Sequence, residues 1–171
     1  MKKSIVLLLS IFILILAGCS KTAPKTPPSA PNTEENADAA HLTSEDKNLK
    51  ISVSKEIRSL TAMNINTKPG YDVTSILVAI ENVSKDNVPI SPKFVTLKTT
   101  DETEYKYSEE LTMKITSKSA FKEVILPPDY RGGGLLVFEI KKDSVPDTLS
   151  YKDNSGHEMT VQFPAILKKS I

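Results

Sequence analysis

The stretch Tyr71-Asp72-Val73-Thr74-Ser75-Ile76-Leu77-Val78-Ala79-Ile80 carries apolar side chains at Val73, Ile76, Leu77, Val78, Ala79 and Ile80, on both parities of an extended chain. Successive side chains of a strand point to opposite faces, so this pattern predicts a central strand with both faces covered. Asn82, Ser84, Lys85, Asp86 and Asn87 follow as a polar turn. Upstream, Leu49, Ile51 and Val53 alternate with Lys50, Ser52 and Ser54, the pattern of a strand with one buried face.

Period two continues downstream. Val88 and Ile90 flank Pro89, which confines that segment to an edge or a loop. Phe94, Val95 and Leu97 lead into a turn at Thr100 to Thr103 and a return through Tyr105 and Tyr107. Leu111, Met113 and Ile115 alternate with Thr112, Lys114 and Thr116, which reads as another strand. Phe121 to Leu126 is a short apolar run stopped by Pro127 and Pro128. Gly132, Gly133 and Gly134 open the run Leu135, Leu136, Val137, Phe138, Glu139, Ile140, a second core strand. Leu149 and Tyr151, a turn from Asp153 to Gly156, then Met159, Val161 and Phe163 form a terminal hairpin. Eight or nine short strands, with turns every ten or so residues and no helical period, predict an all-β, two-sheet sandwich over residues 49–167.

The N-terminus is of another kind. Lys2 and Lys3 precede an apolar run from Ile5 to Leu16, which ends in Leu16, Ala17, Gly18 and Cys19. As a helix that run is about 18 Å long, short of the roughly 30 Å hydrocarbon core, so it reads as the h-region of a signal peptide and not as a span. Small residues ahead of a cysteine thiol make a lipobox. Residues 1–18 are then removed, and Cys19 carries diacylglycerol, whose two acyl chains suffice for stable anchoring. Cys19 is the sole cysteine, so no intrachain disulfide competes for its sulfur.

From Ser20 to Asn48 the chain turns to Pro, Ala, Thr, Asn and Glu, with Pro24, Pro27, Pro28 and Pro31 and no aromatic residue. With Cys19 this segment, 19–48, reads as a disordered tether, reaching on the order of 30 Å as a coil or about 90 Å as polyproline II. His41 falls within it as a solvated side chain. Loss of residues 1–18 removes Lys2 and Lys3 from 22 basic against 21 acidic side chains, leaving one excess acid. Such a balance offers nothing to nucleic acid, which requires a basic patch.

The run ending in Glu81, Asn82, Val83, Ser84, the aspartate turn ahead of Tyr105, and the glycines ahead of Leu135 to Ile140 together resemble one family. It comprises the uncharacterised immunoglobulin-like domains of Gram-positive lipoproteins, related to a mycobacterial secreted immunoprotective antigen. The resemblance covers roughly Leu49 to Phe163. It implies an immunoglobulin-like sandwich with a binding or accessory role, and it carries no catalytic residues. This chain departs from the pattern after Asp101, where Glu102, Thr103 and Glu104 replace the usual glycine.

No constellation for catalysis is legible. Nucleophilic chemistry needs a serine or cysteine beside a histidine, and the domain holds only His157, in a hairpin turn with Ser155 and Gly156. The neighbours Glu109, Glu110 and Asp101, Glu102 would lie on opposite faces of a strand. Gly132 to Gly134 precede a strand, whereas phosphate loops lead from strand into helix. His157 and Met159, two apart, point to one face and resemble the end of a copper site, for which Met63 and Met113 are further ligand types. The second histidine that such a site needs is missing from the domain. Tyr130 and Arg131, in the loop before the glycines, are of the types enriched at binding hot spots. Tyr130 also has the position of a tyrosine corner, its hydroxyl bonding a preceding loop.

The sequence therefore predicts a lipid-anchored protein on the extracytoplasmic face of a cell membrane. Its partners would be the membrane through Cys19 and a protein or envelope component contacted by Tyr130 and Arg131. It would be non-catalytic and without cofactor. A copper carrier and a wall-associated spacer are the rival readings.

Overall fold

The computed structural model describes residues 40–63 and 65–164. Cys19, the signal segment 1–18, the tether up to residue 39 and the last predicted domain residues, 165–167, lie outside this range. The long strand β4 (Tyr71–Asn82) organises the first sheet. On one edge it pairs antiparallel with β9 (Arg131–Lys141) over eleven consecutive positions, from Tyr71 with Lys141 to Glu81 with Arg131. Its other edge is shared by β2 (Leu49–Ser54), opposite Val78 to Asn82, and the short β3 (Arg58–Ser59), opposite Thr74 and Ser75. β1 (His41–Glu45) extends the sheet beyond β2. The second sheet has the order β11-β10-β6-β7, built from β6 (Val95–Thr99), β7 (Glu104–Lys106), β10 (Pro146–Lys152) and β11 (Glu158–Gln162). β5 (Val88–Ile90) and β8 (Val124–Leu126) form a separate two-stranded ribbon.

Strand parity writes the core. Leu49, Ile51 and Val53 of β2, Ile76, Val78 and Ile80 of β4, and Leu136, Phe138 and Ile140 of β9 face Val95, Leu97, Leu149, Tyr151, Met159, Val161 and Phe163 of the second sheet. Full burial of such side chains stabilises by about 1.5–3 kcal/mol each before chain entropy is set against it. The opposite parity of β4 and β9 brings Val73 and Val137 to the outer face of the first sheet. A smaller cluster of Leu60, Ile65, Leu111 and Ile115 covers them. The outer parity of Tyr71–Ile80 is thus covered at Val73, whereas Leu77 on the same face stays exposed.

Two expectations are corrected. Leu111, Met113 and Ile115 lie on a helix, α1 (Glu109–Thr116), and not on a strand. Ser108 caps it, its Oγ accepting the N–H of Leu111, and Glu109 and Glu110 occupy the first turn, where the helix dipole favours acids. The alternation of residues 111–116 also fits a helix, because Leu111 and Ile115, four apart, meet the sheet while Met113 faces out. The tether does not run to Asn48, since His41 to Glu45 are paired with Ser54 to Lys50 as β1, and Leu42 packs against the core. His41 is a half-buried strand residue and not a solvated tether residue.

α1 also closes an edge. The N–H of Val137 donates to the buried Thr112 hydroxyl at 3.0 Å, and the N–H of Ser108 donates to the Val137 carbonyl. Beyond it the N–H of Phe121 donates to the Leu135 carbonyl, and the N–H of Leu135 donates to the Ser119 carbonyl. This close approach depends on glycine: a Cβ on Gly134, φ +154, would lie 2.5 Å from the Phe121 nitrogen, and one on Gly133, φ +144, 2.7 Å from the Ala79 Cα.

Candidate functional site

The antiparallel registers gather four connections at one end of the sandwich. They are the β1–β2 turn at Asp46 to Asn48, the β4–β5 turn after Asn82, the β8–β9 loop from Pro127 to Tyr130 and the β10–β11 turn from Asp153 to His157. Residue 40 lies at the opposite end, where β1 starts beside Ser54. The chain therefore enters the domain at the end remote from these loops.

Polar side chains taken out of solvent hold the loop end together. Asn82 is fully buried. Its Nδ2 donates to the carbonyls of Asp86 at 2.7 Å and Leu126 at 2.9 Å, and its Oδ1 accepts the N–H and hydroxyl of Ser84. One amide thus ties the β4–β5 turn to β8. The main chain of Asn82 in turn accepts the N–H of Asp129 and donates to the Tyr130 carbonyl. On the other side Asp153 Oδ1 accepts the N–H groups of Ser155 and His157, closing the hairpin as an Asx turn.

The nearly buried His157 ring then reaches across the sandwich, its Nδ1 lying 3.2 Å from Asp46 Oδ2. Asp46 Oδ1 accepts the N–H groups of Asn48 and Leu49. Partial burial works against the Asp46 charge, but those two N–H groups and His157 outweigh it and hold the carboxyl below its ordinary value. Behind them Tyr151 is fully buried with its ring edge against Phe94. Burial, with the Asp153 and Asp46 carboxylates nearby, pushes its hydroxyl up. A cleft of about 280 Å³ beside this cluster is lined by Pro89, Ile90, Phe94, Glu123 and Asp153 among others.

The residues singled out from the sequence are placed as follows. His157 and Met159 share the inward parity, but Met159 is packed in the core while His157 engages Asp46. Met113 lies on α1, on the far side of the first sheet, and Met63 is exposed. Among the described residues no group of three or more His, Cys, Asp or Glu is placed to hold a metal. Tyr130 is 64% exposed, and main-chain bonds rather than its hydroxyl anchor the loop, with Asp129 at φ +62. A comparable tie is made elsewhere, where the N–H of Lys141 donates to the Tyr105 hydroxyl. Arg131 donates to Glu81, its cross-strand neighbour, at 2.8 Å. In the sequence Asn82 and Asp153 read only as turn residues, and Asp46 falls within the predicted tether. Their polar types fit turns, but nothing in the spacing marks which would be buried.

These features define an immunoglobulin-like β-sandwich with one end knitted by buried Asn, Asp and His side chains. The chain belongs to the family described as a domain of unknown function, DUF4352, which matches residues 41–160. Among solved structures it is similar to ycdA, a candidate lipoprotein of Bacillus subtilis, at 17% identity and a TM-score of 0.53, covering 71% of this chain and 37% of that one. It is similar also to MPT63, a secreted protein of Mycobacterium tuberculosis, at 16% identity and a TM-score of 0.51, covering 74% and 93%. The yjhA protein of Bacillus subtilis follows at 14% identity and a TM-score of 0.50, covering 71% and 96%. At these identities the likeness is one of fold, and this chain spans 37% of the length of ycdA. No curated protein matches the chain.

Proposed function

We propose that this protein is an exported lipoprotein, held at the extracytoplasmic face of a cell membrane through Cys19, whose sandwich serves as a non-catalytic binding domain. The observation that carries the reading is the order of the first nineteen residues: a basic start, a run too short to span, and Leu16-Ala17-Gly18-Cys19. Among the described residues no helix is long and apolar enough to cross a membrane. The fold is shared with a candidate lipoprotein and a secreted protein, which supports a place outside the cytoplasm.

The domain geometry fits the same reading. β1, the first described strand, begins beside Ser54, at the end of the sandwich opposite the loop end. Tyr130 and Arg131 remain the proposed contact residues, with Tyr130 exposed and Arg131 shared with Glu81. No observation favours the copper carrier, since Met159 is committed to the core and His157 to Asp46.

The test is Cys19→Ser in living cells fed a labelled fatty acid. The variant is expected to lose all label and to leave the membrane fraction or accumulate unprocessed. Label retained by the serine variant would refute anchoring at this residue. Capture of a partner from intact cells, weakened by Tyr130→Ala or Arg131→Ala at unchanged melting temperature, is the expected result for the contact residues.

A further inference from the structure

β1 is bonded along one edge only: among the described residues it pairs with β2 and with no other strand. None of its five side chains is buried, and Leu42 is its apolar contact with the core. Pairing fixes the backbone of all five residues, a loss of chain entropy that apolar burial offsets at Leu42 alone. β11, of the same length on the edge of the second sheet, carries Met159 and Val161 into the core, with Phe163 next to it. The other outer strands are tied by more than their ladders. The Tyr105 hydroxyl of β7 accepts the Lys141 N–H of β9, and the Thr74 hydroxyl of β4 donates to the Arg58 carbonyl of β3.

The turn that follows β1 is held independently of it. The Asp46 carboxylate accepts the N–H groups of Asn48 and Leu49 and lies 3.2 Å from His157 Nδ1. The Asp46 N–H donates to the Leu49 carbonyl. None of these contacts is made by residues 41–45, so they persist when the strand is away from β2. A turn that stays folded also returns the strand in a single register.

We propose that β1 is a releasable strap, which leaves β2 as a unit while the Asp46 turn stays fixed. With the strap closed, the folded body takes up the chain at His41, beside Ser54. With the strap released, it takes up the chain at Asp46, beside His157 at the loop end. Release thus moves the junction from one end of the sandwich to the other, about 16 Å for a strand of this length. Local opening of this kind breaks few apolar contacts and is separate from global unfolding. The release is a property of the domain alone. Its consequence for a chain held through Cys19, that the attachment changes ends, rests on the anchoring reading.

The test is amide hydrogen exchange on the full chain in low urea. The bonds of Lys55 to Ala40 and of Asp46 to Leu49 set the alternation of the ladder, so Leu42 and Ser44 turn their N–H groups to β2. By the same alternation Met159 and Val161 turn theirs to β10. Leu42 and Ser44 are expected to exchange about a hundredfold faster than Met159 and Val161, at a rate that hardly responds to urea. Asn48 and Leu49 are expected to stay slow with the turn. Leu42→Ala should speed exchange at Ser44 about tenfold and leave Val161 unchanged. Exchange of Leu42 and Ser44 at the rate of Val161 overturns the proposal, as does an equal rise at Ser44 and Val161 in the variant, because β1 then opens only with the whole sandwich. Exchange of Asn48 and Leu49 together with Ser44 overturns it too, since no fixed point is then left at Asp46. Each of these results leaves the Cys19 reading intact, and lipid label retained by Cys19→Ser would remove that reading without touching the strap.

Discussion

Asn82 is the residue whose chemistry is least replaceable, because a fully buried amide there satisfies two carbonyls and two donors of the loop end. Asn82→Ala is expected to destabilise by about 2–4 kcal/mol in urea unfolding, since partners in the interior lose their bonds without gaining water. Asn82→Asp should fare no better, as a carboxylate would face the Asp86 and Leu126 carbonyls. A loss below about 0.5 kcal/mol for both would mean that the turn holds itself. Asp46 gives a pH-dependent counterpart. Its folded carboxyl lies below its ordinary value, so its contribution is complete above the unfolded value near 4 and is lost as pH falls through the lowered folded value. Asp46→Asn keeps an oxygen for the Asn48 and Leu49 N–H groups but cannot titrate. Its stability should decline less steeply than that of the parent below about pH 4, and identical slopes would remove Asp46 from the acid response. Glu102 explains the chain's departure from the family pattern: it holds φ +62 itself, the left-handed conformation that glycine adopts at lower cost.

At the scale of elements, the meaning of the three glycines changes with the structure. They do not precede β9 but belong to it. Gly133 and Gly134 lie within its ladder, opposite Ala79 and Val78, at positions where a side chain would strike neighbouring main chain. Gly133→Ala should cost more than about 3 kcal/mol, because both its positive φ and the Val78 carbonyl oppose a Cβ. Gly156→Ala, at φ +89 in open space, should cost only about 1 kcal/mol. Equal melting temperatures for the two variants would show that the β4–β9 contact can relax. The same scale holds the clearest misreading, that of α1. Over six residues, alternation at Leu111, Met113 and Ile115 fits a strand and a helix equally. What separates them is the Ser108 cap, the acidic first turn and the second small core awaiting Leu111 and Ile115.

For the whole molecule, the domain begins at β1 and not at Leu49. A fragment starting at Ala40 should fold alone with a β-type circular-dichroism spectrum and no dependence on metal. A fragment starting at Lys47 lacks the five β1 pairings, the Leu42 contact and the Asp46 bonds to Asn48, Leu49 and His157. It should be less stable by roughly 2–3 kcal/mol in urea. Equal stability of the two fragments would return His41 to Glu45 to the tether. Sequence alone determined that the domain is a sandwich, because a period of two with turns between the runs is a property of each strand by itself. It also marked the Tyr71–Ile80 and Leu135–Ile140 runs as core strands, while their pairing with each other came from the structure. What it could not carry was decided by contacts between residues far apart. β1 reads as polar tether until β2 offers it an edge, and α1 is settled by the sheet face it covers. Asp46 and His157, 111 residues apart, meet only once two sheets have packed. Local pattern specifies which way a side chain faces, but burial of a polar group depends on what the rest of the chain places over it.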